Sequence, residues 1–306
     1  MNIASTGMVV ALGNFDGVHR GHQALIADAK ALAAEHGVPL VAVTFEPHPR
    51  RFFAPALPPF RLTLPEQKHN YLCAVGCDDV RVLIFDAHLA AVSAEDFVRR
   101  MLVTEYGARV IVAGEDFRFG HGRAGDMARM KEWLHGSHVV VHAVPQVRDP
   151  QGQRYAASTV RALLQNGQVQ AAAEILGRPY IMIGTVAHGD RRGRQLGFPT
   201  ANIDLGDYQR PQYGVYAVHA RRVGSVGEGG GAWVSGVANI GRRPTLDGTR
   251  EWLEVHLFDF AADIYGEVWE VALVDFIRPE KRFGDVSALK SAVQNDILRA
   301  REILNT

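Results

Sequence analysis

Short apolar runs rich in Val and Ile return at regular intervals through the first half of the chain: MVVAL, VPLVAVTF, VRVLIF, ARVIVA and HVVVHAV, between residues 8 and 144. Between the first two, Leu25, Ile26, Ala29, Leu32 and Ala33 recur every three or four positions, which predicts an amphipathic crossover helix. PEQKHNYLCAV and SAEDFVRRMLV carry the same helical spacing. Continuous rather than alternating apolar strands belong to a parallel sheet covered on both faces, so this half reads as a doubly wound, Rossmann-like α/β domain. Its ligands are then expected beyond the carboxyl ends of the strands.

After two more helical stretches, STVRALLQNG and QVQAAAEILG, the texture changes at Arg178 and Pro179. Strand follows strand: IMIGTVAHG, GVYAVHARRV, GAWVSGVANIG, WLEVHLFDF and EVWEVALVDFIR, separated by Gly, Pro and Asp turns. The order predicts an antiparallel barrel or sandwich over residues 179–306, following an α/β domain over 1–178. A last helix begins near Asp285, a good N-cap, with Leu289, Val293 and Ile297 on one stripe.

The 306 residues suit two domains of ordinary size. With 33 basic and 33 acidic side chains the formal charge is zero, so nucleic acid and anionic membranes are not the expected partners. No apolar run approaches the ~20 residues of a membrane helix, and the opening MNIASTGMVVALG does not read as a secretion signal. A cytoplasmic location is expected. Two cysteines, Cys73 and Cys77, are too few for a disulfide scaffold. Helical spacing puts them on one face with His69, but a structural zinc site needs four ligands, so both read as small packing residues.

The densest chemical signal is GNFDGVHRGH, Gly13 to His22, between the first strand and the first helix. Glycines at 13, 17 and 21 permit a sharp turn and close approach of a ligand, and the helix start offers free N–H groups to an anion. His19 and His22 add donors on the same edge. The chain lacks GxxxxGK[ST], and this turn is not GxGxxG, so P-loop and dinucleotide readings fall. The residues resemble the HxGH turn of the nucleotidyltransferase superfamily, whose histidines stabilise the α-phosphate of ATP as pyrophosphate leaves. With TFEPHP after the second strand, GEDFRFG after the fourth and ASTVR after the fifth, the set resembles the FMN adenylyltransferase module of bacterial riboflavin kinase/FAD synthetases. The resemblance implies ATP contacts from Gly13, Phe15, Asp16, Gly17, Gly21, Ser158 and Thr159. It implies catalytic roles for His19, His22 and Arg161, and flavin contacts from Asp116 and Asp126. Glu46 and His48 read equally well as structural, their turn being fixed by Pro47 and Pro49.

A second signal is GTVAHGDRRGRQLGFPTAN, Gly184 to Asn202, a glycine- and arginine-rich loop suited to polyphosphate. Thr200 and Asn202 end it with neutral oxygens two residues apart, on one side of an extended backbone, as magnesium sharing substrate phosphates prefers. In WLEVHLFDF, alternation puts Trp252, Glu254, His256 and Phe258 on one face, with Glu254 a candidate base beside an aromatic stacking surface. HGxxxGRxLGFPTAN, GVY, GVANIGRRPT, LEVHLFDF and IRPEKRF resemble the riboflavin kinase module in its usual order. That resemblance implies a six-stranded antiparallel barrel, Mg²⁺ and ATP at Thr200 and Asn202, and Glu254 as base. It adds ATP contacts from Gly189, Gly193, Arg194, Gly197 and Pro199, and a flavin contact from Trp252. The expected partners are riboflavin, FMN and ATP, with a homo-oligomer and flavoproteins receiving FMN or FAD as the macromolecular candidates. Two rival readings stand beside this one: a single active module with the other as scaffold, or a non-enzymatic flavin or RNA binder. The latter lacks the interleaved basic and aromatic residues that RNA contact needs.

Overall fold

The computed structural model describes residues 7–187, 197–224, 230–245 and 248–306. They fall into two compact units: Met1–Pro58 with Thr63–Ala157, and Pro59–Leu62 with Ser158–Thr306.

In unit 1 the strands are β1 Met8–Leu12, β2 Leu40–Glu46, β3 Asp79–Ile84, β4 Ala108–Gly114 and β5 Val140–Val144. All pair in parallel, in the order β3-β2-β1-β4-β5. Alternate residues of the buried central strand feed two cores, as a sheet covered on both faces requires. Val9 and Ala11 pack with Leu25, Ile26 and Ala29 of α1, Arg20–His36. Met8, Val10 and Leu12 belong to the opposite core with Phe97, Val98 and Leu102. Those last three lie in SAEDFVRRMLV, which is helical but not α throughout. After α-helices α2 Pro49–Phe53, α3 Pro65–Ala74, α4 Ala87–Ala91 and α5 Ala94–Asp96, the chain widens into a π-helix over Phe97–Glu105. The last α-helix of this unit is α6, Met127–Trp133.

Unit 2 holds α7 Ala157–Gln165 and α8 Val169–Leu176, then β6 Tyr180–Ala187, β7 Ala201–Asp204, β8 Gly214–Arg222, β9 Val234–Thr245, β10 Gly248–Leu257 and β11 Val268–Pro279. The six strands form a closed antiparallel barrel in the order β10-β7-β6-β11-β8-β9. Five of them are the apolar runs of the sequence. The sixth, β7, has four residues and no apolar run of its own. The closing helix α9, Val286–Leu304, is capped by Asp285, whose carboxylate accepts from the Ala288 N–H at 2.8 Å. Ala300 and Leu304 of α9 pack on Val215, Ala217 and Val237, so the helix covers the outer face of β8 and β9. Asp296, itself buried, accepts a two-pronged bond from Arg278 of β11 at 2.8 and 2.6 Å.

The packing break falls between Ala157 and Ser158, whereas the change of texture falls at 178/179. The reason lies in α8, whose apolar stripe Val169, Ala172, Ile175 and Leu176 is buried, with β6 and β11 as its neighbours. Among the described residues no helix is long and apolar enough to cross a membrane.

Candidate active sites

The turn after β1 is built from buried residues. Phe15, fully buried with φ at 49°, packs edge-on to the His22 ring at 5.2 Å. The Asp16 carboxylate is buried as well and accepts from the Thr63 N–H at 3.1 Å, while the Gly17 N–H donates to Thr63 Oγ1 at 3.1 Å. Phe15 and Asp16, the two expected ATP contacts, have their side chains packed into and bonded within the turn. Gly17 sits at φ 83°, a conformation that glycine alone adopts without strain. At Gly21 a Cβ would stand 3.0 Å from the Tyr155 carbonyl and 3.2 Å from the His19 ring, so this position has no room for a side chain. Gly13 is likewise closed by the Phe15 ring, 3.1 Å from a would-be Cβ.

His19 is the N-cap of α1, its Nδ1 accepting from the His22 N–H at 3.4 Å. With Nδ1 accepting, a neutral His19 ring carries its proton on Nε2. His22 follows on the first turn, and the two imidazoles stack at 3.6 Å between centroids, 20° from parallel. Both histidines thus stand at the amino end of a 17-residue helix, where its dipole and free N–H groups already favour negative charge.

Beside the turn, unit 1 opens a cavity of about 570 Å³ lined by Asn14, His48 and the rings of Phe45, Phe53, Phe85, Phe97, Phe117 and Phe119. Sequence reasoning did not find this cluster. The phenylalanines lie far apart in the chain, and each alone reads as an ordinary core residue. His48 lines the cavity and caps α2, accepting from the Arg50 N–H at 3.1 Å. Glu46 pairs with Lys68 at 2.8 Å. Asp116 and Asp126 do not line the cavity: Asp116 is paired with Arg154, and Asp126 caps α6. Asp126 also accepts from Arg118, a cavity residue, at 2.7 Å. The Arg129 N–H and the neighbouring arginines hold its carboxyl below the usual range.

Ser158, Thr159 and Arg161 stand on the first turns of α7, in unit 2. Arg161 donates to the Phe60 carbonyl at 2.7 Å and lies over the Phe60 ring, 5.4 Å from its centroid.

In the barrel, Glu254 is buried and directly opposite two asparagines: Asn202 across β7 and Asn239 across β9. Residues directly opposite in antiparallel strands share a face with Cβ atoms about 5 Å apart, so the carboxylate lies between two amides. The register extends this row to Val215 of β8 and Arg278 of β11, the outer face that α9 covers. Leu253 and Val255, one residue to either side of Glu254, point to the barrel interior. Asn239 escaped the sequence reading because nothing in GVANIG marks its asparagine until β9 and β10 pair. His256 Nδ1 contacts the Pro199 carbonyl at 2.9 Å, tying the PTAN segment to β10. Thr200 and Pro199 line a second cavity of about 310 Å³ at the barrel mouth, with Val255, Leu257 and the 260–265 loop. Trp252 is opposite Asp204 and Gly241, in line with Glu254. Phe258 instead packs with α9, under the Arg301 guanidinium at 4.5 Å. Gly197 is in the left-handed region at φ 91°. Gly189, Gly193 and Arg194 lie outside the described residues.

Cys77 is buried, and desolvation pushes its thiol up to about 12. Cys73 is exposed, not packed as its spacing suggested, with Sγ 3.9 Å from His69 Nδ1. Among the described residues no three His, Cys, Asp or Glu side chains gather as a metal cluster. For magnesium the candidate donors are of the other kind: the neutral oxygen of Asn202 opposite the Glu254 carboxylate, with Thr200 two residues before it, a chemistry that suits a hard cation that keeps waters and shares phosphates.

A parallel sheet with paired imidazoles at its first crossover, followed by a closed barrel with a carboxylate between amides, defines a two-unit transferase acting on nucleotides. Comparison with known proteins gives the family. The FAD synthetase family model matches residues 2–159 and the riboflavin kinase family model residues 176–304. The bifunctional riboflavin kinase/FMN adenylyltransferase of Pseudomonas fluorescens is 41% identical over 97% of this chain and 93% of its own. Its namesake in Escherichia coli (strain K12) is 39% identical over 97% and 92%. A crystal structure from Streptococcus pneumoniae, described as a macrolide-efflux protein, superposes with a TM-score of 0.83 at 32% identity, covering 95% of this chain and 93% of that one. The chain belongs to the bifunctional riboflavin kinase/FMN adenylyltransferase family.

Proposed function

We propose that FMN is adenylylated at the His19–His22 turn and riboflavin phosphorylated at the Asn202–Glu254–Asn239 row. The enzyme makes FMN from riboflavin and FAD from FMN, each with ATP. In the first of these steps the terminal hydroxyl oxygen of riboflavin attacks the γ-phosphorus of ATP, Glu254 takes the hydroxyl proton, and ADP leaves. Burial of Glu254 in a row directly opposite Asn202 and Asn239 supports it as that base, because strand register holds the carboxylate at a fixed place beside the PTAN segment. Thr200 and Asn202 would hold Mg²⁺, which when bound draws charge from the ATP phosphates. Gly189, Gly193, Arg194, Gly197 and Pro199 complete the polyphosphate loop, and Trp252 is the flavin contact.

In adenylyl transfer the phosphate of FMN is already anionic and needs no base. Its oxygen attacks the α-phosphorus, the bond to the bridging oxygen breaks, and pyrophosphate leaves. Catalysis then reduces to alignment and to charge stabilisation on the equatorial oxygens, which the Nε2–H of His19, the His22 ring and the start of α1 supply. The single observation that carries this reading is the stacked histidine pair at the helix start. Ser158, Thr159 and Arg161 are the further phosphate contacts by the ASTVR segment, within an adenylyltransferase module of residues 1–178 and a kinase module of 179–306. The aromatic cavity next to Asn14 suits a flat tricyclic ring, with Asp126 acting on its lining through Arg118 and Asp116 as the further flavin contact. Cytoplasmic operation fits two free thiols, and a homo-oligomer and flavoproteins taking up FMN or FAD complete the proposal.

Incubation with riboflavin, ATP and Mg²⁺ followed by flavin chromatography tests the assignment. His19→Ala with His22→Ala stops at FMN, and Glu254→Ala makes no FMN but still converts supplied FMN to FAD. Loss of both products in each variant would refute two separate sites.

A further inference from the structure

Lys68 is a lysine with only 3% of its surface exposed, on the helix α3, outside every motif that marks the chemistry. Its ammonium donates to Glu46 Oε1 at 2.8 Å, to Thr44 Oγ1 at 3.0 Å and to the Asn14 carbonyl at 3.4 Å, one partner for each of its three protons. Thr44 relays the grip, since its hydroxyl in turn donates to the same Asn14 carbonyl at 3.1 Å. Asn14 is the residue where two features of unit 1 meet: it lines the aromatic cavity, and its peptide begins the turn that leads to His19. Two residues before α3 begins, Thr63 holds the other end of the His19 turn through Gly17 and Asp16.

We propose that Lys68 is a positioning residue for adenylyl transfer: it fixes the Asn14 peptide so that the turn presents His19 and His22 to the α-phosphorus next to the flavin. A buried lysine is a costly choice for mere filling, since a methionine fits the same space without the desolvation penalty. What an apolar side chain lacks is a grip on a backbone carbonyl at the chemical turn. Glu46 sets the ammonium in place from the end of β2. Charge builds on the α-phosphate oxygens only in the transition state, so misplacement of the turn lowers kcat more than it weakens ATP binding.

The inference rests on the turn being the adenylyl site, and the experiment separates the two. Lys68→Met alone takes the ammonium away from the half-buried Glu46 carboxylate and can fail by unfolding, so the informative variant is Lys68→Met with Glu46→Gln in the full chain. Its melting temperature and its FMN formation from riboflavin serve as folding controls. The expected result is parent-like melting and FMN formation, with kcat for FAD formation lower by about 10- to 100-fold and KM for ATP within about threefold. Parent-like kcat with parent-like melting overturns the proposal. So does a kcat that rises and falls with melting temperature across Lys68→Met, Glu46→Gln and the double variant, because that pattern marks a purely structural lysine. If His19→Ala with His22→Ala keeps full FAD formation, the reading of the turn fails and takes Lys68 with it. If that variant is inactive while the lysine double variant is not, Lys68 alone is refuted.

Discussion

Strand register sets the place of Glu254: it is buried, facing Asn202 on β7 and Asn239 on β9. Replacing it by Gln keeps the shape and removes the base. FMN formation is expected to fall by about 10²- to 10⁴-fold, while FAD formation from supplied FMN stays at the parent rate. Glu254, Thr200 and Asn202 stand out as candidates in the sequence because strand alternation and loop chemistry are local. Asn239 was not, because only the β9–β10 register brings it opposite. The same limit applies to Asp16, whose carboxylate accepts from Thr63, 47 residues away, a contact that no local pattern shows. The cysteines give a simple check at this scale. A thiol-specific chromogenic reagent should titrate the exposed Cys73 alone in the native chain, and Cys77 as well once the protein is unfolded.

Among the elements, those with long apolar runs were readable and short or borrowed ones were not. β7 closes the barrel with four residues, held by β10 and β6 rather than by its own hydrophobicity. The helical period of SAEDFVRRMLV is the right signal for a helix, yet π-turns over Phe97–Glu105 keep Phe97, Val98 and Leu102 in the core. α9 is amphipathic in sequence, but its anchorage is tertiary. The Arg278–Asp296 pair joins it to β11, with the Asp296 side chain 8% exposed and that of Arg278 26%. Asp296→Ala removes one partner of a mostly buried pair and should cost about 2–3 kcal/mol, less than a fully buried pair because Arg278 keeps some solvent. Denaturant unfolding would show this as an early loss of FMN formation, with FAD formation from supplied FMN persisting to higher denaturant.

At the level of the whole chain, two activities with disjoint motif sets predict complementation. A mixture of the His19→Ala/His22→Ala chain with the Glu254→Ala chain should make FAD from riboflavin and ATP, through FMN released by the first and used by the second. Chromatography showing FMN alone would mean that the product of one site does not reach the other. The sequence by itself determined the two architectures and singled out the motifs proposed to carry the chemistry, because hydrophobic period, turn residues and contiguous motifs are all local properties. Tertiary structure alone decided which side chains are already spoken for, which phenylalanines gather into one cavity, which asparagine faces the base, and that α7 and α8 pack with the barrel. Those outcomes depend on strand register and on which apolar stripe finds which surface, and both are fixed between segments distant in the chain.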